Sequence, residues 1–277
     1  MSDRATLLTK AAKVLKKHYK PCSPPSNRSV LEHLLYACCL EASHHQASDD
    51  AFARLQETYF DLNEVRVTTV SELAEVLSGL NDPEQAARRI KKALQSVFEA
   101  YYSFDIDIMK KGNLGKAVKE IEALNGVSPF AVSYVAQSAL AGHSIPANKG
   151  AFDLFVVLGV LTEAEAAKKR VPGLERAIPK NKGVEFGSLL HQLGVDFMTS
   201  PYSSRVRAIV LEIDPDAKNR LPKRAPKRAP KPQAKQAAKS KQAPKKKATP
   251  ATHTKKTTAP KAAKKSATKH LARKKPR

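Results

Sequence analysis

The residues best placed to hold an anion lie in one short turn, Asn125-Gly126-Val127-Ser128-Pro129, within the stretch LNGVSPFAVSYVAQSALAGHSIPANKGAFDLFVVLGVL. Gly126 follows a helical pattern and suits the left-handed backbone with which helices often end. Ser128 and Pro129 are typical of the cap and first position of a following helix. So short a turn brings free backbone N–H groups and a helix N-terminus to one point, which attracts a phosphate without reading base sequence. An ordinary helical hairpin that holds nothing is the alternative.

The elements that must position this turn have helical patterns throughout, and we find no convincing strand. Asp82-Pro83-Glu84-Gln85 is a strong helix start, and Thr69-Val70-Ser71-Glu72 has capping-box spacing for a shorter helix. The sequence therefore predicts an all-α protein. Its longer helices are expected at about 4–19, 29–43, 50–58, 84–102, 114–125, 129–141, 149–159, 162–169, 184–197 and 204–212.

Charge divides the 277 residues into two unlike parts. Residues 221–277 hold 21 of the 49 Lys and Arg residues and none of the 26 Asp and Glu residues, which leaves residues 1–220 with a net charge of +2. Because the tail contains little to bury beyond alanine, it is predicted to be disordered, and its composition resembles the Lys/Ala/Pro-rich tails of linker histones. We expect an N-terminal helix and break over 1–25, a helical body over 26–220 and a DNA-binding tail over 221–277.

LNGVSPFAV followed by IPANKGAFDLFVVLG resembles the helix-hairpin-helix segment of the endonuclease III family of DNA glycosylases. That resemblance extends more faintly from about Val30 to about Arg207, and it implies an endonuclease III-like helical body. When Gly126-Val127 is aligned with the Gly-Val of the family motif, the catalytic lysine position falls on Phe130. The catalytic aspartate position falls on Asn148, eighteen residues later and without a gap.

The resemblance therefore implies a site that has lost its chemistry. Phe130 carries no nucleophilic amine, and the amide of Asn148 neither takes a proton near neutral pH nor supplies negative charge. Asn148 can still cap the helix that begins at Lys149. Replacement by Lys149 or Asp153 is the alternative, although a side chain at the start of a helix, such as Lys149, is expected to point elsewhere.

No cofactor is expected from the cysteines. An iron–sulfur cluster of this family needs four closely spaced cysteines near the C-terminus, and the comparable stretch LLHQLGVDFMTSPYSSRVRAIV contains none. Cys38 and Cys39 lie in the apolar run LLYACCLEA and are predicted to be core residues. With Cys22 they are too few for a disulfide framework, so we expect a reducing compartment.

The sequence favours a non-catalytic protein that holds duplex DNA non-specifically through its phosphate backbone. The residues predicted to contact DNA are Asn125, Gly126, Val127, Ser128, Lys110, Lys111, Lys116 and Lys149, with the three lysines before the hairpin extending a phosphate track. A second basic cluster, Arg88, Arg89, Lys91 and Lys92, fits either a solvated face or a DNA contact.

Two further functions stay open. One is an active DNA glycosylase or abasic-site lyase of base-excision repair with relocated catalytic residues, and the other is a body that binds proteins while the tail alone binds DNA. Neither a signal peptide nor a membrane span is recognisable, so we expect a cytoplasmic protein, at the nucleoid in a bacterium or in the nucleus of a eukaryote.

Overall fold

The computed structural model describes residues 4–223, and these form thirteen α-helices and two 3₁₀-helices without a β-strand. The α-helices of the first half of this range are α1 (Arg4–His18), α2 (Val30–Leu40), α3 (His45–Thr58), α4 (Leu62–Val67), α5 (Val70–Val76), α6 (Pro83–Tyr101), α7 (Leu114–Ala123) and α8 (Pro129–Ser138). Those of the second half are α9 (Lys149–Val157), α10 (Glu163–Ala167), α11 (Leu174–Ala177), α12 (Lys180–Thr199) and α13 (Ser204–Ile213). The 3₁₀-helices are Asp107–Lys111 and Pro215–Asn219.

The apolar residues form two clusters that define two lobes. The first lobe is built from α2 to α8, whose buried residues run from Val30 to Val135. The second lobe combines α1 with α9 to α13, and its buried residues come from Leu7–Leu15 and from Ile145–Leu221. The first lobe is therefore inserted, along the chain, between the two parts of the second.

Local sequence signals account for most helix starts. Ser29 and Thr69 make complete capping boxes with Glu32 and Glu72, so both backbone and side-chain groups at these helix ends are paired. Asp82 accepts the Gln85 N–H and is followed by proline at the first position of α6. These starts match the predicted ones because each depends on residues within one turn of chain.

A close contact between α9 and α12 fixes the position of Asn148 and Lys149 at the start of α9. A Cβ on Gly150 would overlap the Gly194 carbonyl oxygen and lie 2.6 Å from the Gly194 carbonyl carbon, so the two helix backbones touch directly. Only glycine permits this approach. The start of α9 is consequently held against the middle of α12.

The observed helices differ from the predicted ones mainly where apolar periodicity is weak. α3 begins at His45 rather than at residue 50, and α12 extends from Lys180 to Thr199 rather than over 184–197. The short helices α4 and α11 were not predicted. Their four to six residues are too few to show a helical period.

The N-terminal helix and the end of the body both belong to the second lobe. α1 contributes Leu8 and Leu15 to the second cluster, so the break at Pro24-Pro25 does not separate it from the rest. Leu221, which composition assigns to the tail, is 3% exposed and packs in the same cluster. The body thus extends through Leu221, and the predicted disorder of the tail beyond Lys223 lies outside the described residues. No helix between residues 4 and 223 has the length and apolar character needed to cross a membrane.

Candidate nucleic-acid interface

The turn between α7 and α8 is held tightly against α6. Gly126 has a φ of 86°, in the left-handed region, and a Cβ there would overlap Lys92 Cβ and lie 3.2 Å from the Arg89 carbonyl oxygen. The Asn125 N–H donates to Ser96 Oγ at 3.0 Å. Three successive turns of α6 therefore fix the position of the hairpin turn.

Two backbone donors of this turn have no protein acceptor. Among the residues described, the backbone N–H groups of Gly126 and Ser128 donate to no protein acceptor, and both residues are partly exposed. Ser128 Oγ caps α8 by accepting the Ala131 N–H at 3.2 Å. Two unpaired N–H groups beside a helix N-terminus can serve as donors to an oxygen-rich anion such as phosphate.

The cations nearest this donor set come from α6. Lys92 is exposed and its Cβ packs against Gly126, while the backbone of Arg89 also borders that glycine. The sequence shows both residues as part of a basic cluster but does not connect them to the turn. Their spacing of three residues indicates that both lie on one face of α6.

The three lysines predicted to lead toward the turn lie elsewhere along α7. Lys110 and Lys111 end the 3₁₀-helix before α7, and Lys116 is in the first turn of α7, whereas Gly126 follows its last turn. Ten helical residues span about 15 Å, so these lysines are at the other end of α7. Lys110 Nζ also pairs with Asp107 Oδ2 at 2.8 Å. The structure does not gather them around Gly126.

Phe130, which the sequence resemblance aligns with a catalytic lysine, is a core residue. It is 3% exposed, and its ring lies 6.2 Å from that of Tyr134 and 5.5 Å from that of His191. His191 Nε2 donates to the Leu40 carbonyl oxygen at 2.9 Å, which joins the two lobes. Burial, together with the neighbouring His45, lowers the pKa of His191 to about 3, so the ring is neutral at physiological pH.

Asn148, which the sequence resemblance aligns with a catalytic aspartate, is a buried helix cap. It is 1% exposed, and its Oδ1 accepts the Ala151 N–H at 2.9 Å, as predicted for a cap on α9. A Cβ on Gly194 would overlap this carboxamide, so the side chain lies in the contact between α9 and α12. The amide neither faces solvent nor provides a base.

A cleft with a volume of about 890 Å³ lies beside α8. Its walls include Phe130, Lys149, Phe152 and Asp153. Lys149 is exposed and is one of the residues that border this cleft. An amine and a carboxylate are thus present in this cleft, one and five residues after Asn148.

The cysteines do not fit an iron–sulfur centre. Cys38 and Cys39 are buried in α2 of the first lobe, where burial raises the pKa of both thiols, and Cys22 lies in the segment between α1 and α2. The stretch LLHQLGVDFMTSPYSSRVRAIV, from Leu189 to Val210, contains no cysteine. No group of three or more His, Cys, Asp or Glu side chains within residues 4–223 is arranged to hold a metal ion.

The described residues have the all-α helix-hairpin-helix fold that is seen in endonuclease III. A non-covalent complex of endonuclease III with DNA matches with a TM-score of 0.54 and 17% identity, over 80% of this chain and 99% of the other. A trapped covalent intermediate of endonuclease III with DNA matches with a TM-score of 0.51, again at 17% identity, over 80% of this chain and 100% of the other. The predicted fold is confirmed. No family profile and no curated protein sequence matches the chain.

Proposed function

We propose that this protein binds duplex DNA non-specifically through its phosphate backbone and does not cleave it. The observation that carries the proposal is the hairpin turn, where the backbone N–H groups of the partly exposed Gly126 and Ser128 have no protein acceptor and Lys92 packs against Gly126. Such a site takes a phosphate oxygen irrespective of base sequence. The resemblance to endonuclease III supports a DNA ligand, since both similar structures contain DNA.

The residues at the two former catalytic positions support a binding role without chemistry. Phe130 fills the core between the lobes, and Asn148 is enclosed between α9 and α12. Neither side chain can attack a sugar carbon or accept a proton there. The same fold can thus keep its capacity to hold DNA while its reaction is lost.

The cationic tail supplies the second part of the proposal. Its 21 Lys and Arg residues provide long-range attraction to DNA, and the resulting affinity depends strongly on salt. A protein of this kind would accompany the chromosome, at the nucleoid of a bacterium or in a eukaryotic nucleus.

The test compares the complete chain with a chain ending at Pro226, which keeps both apolar clusters because these lie between Leu7 and Leu221. Circular dichroism melting would verify that the shorter chain folds. Binding to a duplex with one abasic site is measured by fluorescence anisotropy between about 50 and 200 mM salt, a range over which the affinity of phosphate contacts falls steeply. Borohydride trapping and strand nicking are assayed in the same samples.

We expect the shorter chain to bind weakly, with a much smaller salt dependence than the complete chain, and to form no trapped adduct. In the shorter chain, Lys92→Gln should weaken binding several-fold. It should also reduce the salt slope, the steepness of log association constant against log salt concentration, by about 1. The matched control is Lys13→Gln, an exposed lysine on α1 that removes the same charge elsewhere. Equal effects of the two substitutions would mean that the hairpin does not contact DNA.

An abasic-site lyase is the competing function, and one observation favours it. Lys149 and Asp153 line the cleft that Phe130 borders. A trapped adduct that forms with the shorter chain and disappears in Lys149→Gln would establish that Lys149 had replaced the missing nucleophile. Trapping by the complete chain alone would not, because the tail lysines can react with abasic sites as free amines.

A further inference from the structure

A carboxylate lies directly at the hairpin donor site. Glu41 follows α2, and its Oε2 accepts a hydrogen bond from Ser128 Oγ at 2.6 Å. The same oxygen pairs with Arg89 NH1 at 3.0 Å. Both partners belong to the hairpin and to the helix that supports it, so one acidic side chain connects α2, α6 and the start of α8.

The position of this carboxylate opposes phosphate binding. The Ser128 hydroxyl donates its hydrogen bond to Glu41, and the Arg89 guanidinium is neutralised by the same carboxylate. The side chains of Glu41 and Arg89 are only 17% and 22% exposed, so water screens their charges less than it would on an open surface. A DNA phosphate at the turn would therefore meet a negative charge within a few ångströms.

We propose that Glu41 is an internal competitor for the hairpin phosphate site and sets its affinity for DNA. For the hairpin to take a phosphodiester, Arg89 and Ser128 exchange the carboxylate oxygen for a phosphate oxygen, and Glu41 turns away or remains as a repelling charge. This inference rests on the proposed function, because it concerns how the same turn binds DNA. It makes the hairpin a weak contact that depends on the tail for most of its affinity.

The expected effect follows from Coulomb's law. Two like unit charges roughly 6 Å apart in a partly screened site lower an association constant by about tenfold or more. Replacing Glu41 with glutamine keeps the size of the side chain and an acceptor for Ser128, but removes the charge. Glu41→Gln should therefore bind DNA about tenfold more tightly, and its salt slope should steepen by about 1 because Arg89 becomes a phosphate contact.

The experiment uses the complete ¹⁵N-labelled chain and a short duplex, so that hairpin contacts are observed separately from tail contacts. The amide signals of Gly126 and Ser128 report binding at the turn, and their titration gives its affinity. Glu75→Gln is the control, because Glu75 is an exposed carboxylate on α5 without contact to Ser128 or Arg89. Glu41→Ala serves as a second variant, and thermal melting confirms that each variant is folded.

The results separate the two proposals. Tighter binding at Gly126 and Ser128 in both Glu41 variants, with no such gain in Glu75→Gln, supports the competitor. If the amide signals at the turn shift with DNA but the affinity is equal in wild type, Glu41→Gln and Glu75→Gln, Glu41 is not a competitor. DNA binding by the hairpin would still stand. If neither amide responds to DNA in any variant, the hairpin does not bind DNA, and both proposals are wrong.

Discussion

Replacing Gly126 with alanine measures how firmly the hairpin turn is packed on α6. The φ of 86° costs an alanine about 1 kcal/mol or somewhat more, because its Cβ crowds the following carbonyl group. The new Cβ would in addition overlap Lys92 Cβ and lie 3.2 Å from both Ala93 N and the Arg89 carbonyl oxygen. Forcing a methyl group into such a packed contact costs about 1–3 kcal/mol. We therefore expect Gly126→Ala to lower the free energy of unfolding by about 3 kcal/mol.

The chain contains its own control for the backbone component. Gly173 has a similar φ of 79°, but a Cβ there would meet no atom within 4 Å. Gly173→Ala should therefore cost only the conformational part, about 1 kcal/mol. Urea denaturation gives the unfolding free energy of both variants. If the slopes of free energy against urea concentration are equal, the difference between the two losses of stability is the steric part. If the two variants are equally destabilised, the turn is not packed on α6, and the placement of Lys92 beside it is wrong.

Two further predictions concern buried polar groups. In the chain ending at Pro226, Asn148→Asp should give no borohydride-trapped adduct on abasic DNA, because Phe130 still offers no amine. The substitution should also lower the unfolding free energy at pH 7 by on the order of 1–3 kcal/mol, because it buries a carboxylate. A trapped adduct with this shorter chain would instead point to Lys149 as the nucleophile. Burial lowers the pKa of His191 to about 3 in the folded protein, whereas the ring titrates near 6.5 in the unfolded chain. The stability that the neutral ring contributes is therefore complete above about pH 6.5 and is lost as the pH falls below that value, because only the unfolded chain takes up the proton. Between pH 7 and pH 5 the unfolding free energy of wild type should fall by about 2 kcal/mol more than that of His191→Gln, and equal losses in urea titrations of the two proteins would refute the burial of an uncharged ring.

The local features of the site could be predicted because each depends on a few neighbouring residues. Ser128 as a cap and Gly126 in a left-handed turn follow from capping chemistry and backbone sterics, and the structure shows both. Asn148 was likewise identified as a cap, and Phe130 as a residue without a nucleophile. The all-α body with its hairpin followed from these signals together with the resemblance of the surrounding motif.

What the sequence could not decide is which distant residues meet. Ser128 and Glu41 are 87 positions apart, and nothing in the spacing of either predicts their hydrogen bond. Helix packing also decides three other contacts. Lys92 lies against Gly126 because the hairpin turn packs on α6. The enclosure of Asn148 by Gly194 and the position of Lys149 at the cleft depend on how α9 and α12 pack. The sequence alone therefore determined most of the helices and the turn, because caps and backbone preferences act within one turn of chain. Only the tertiary structure decided the charges around that turn, since packing of whole helix faces sets long-range contacts.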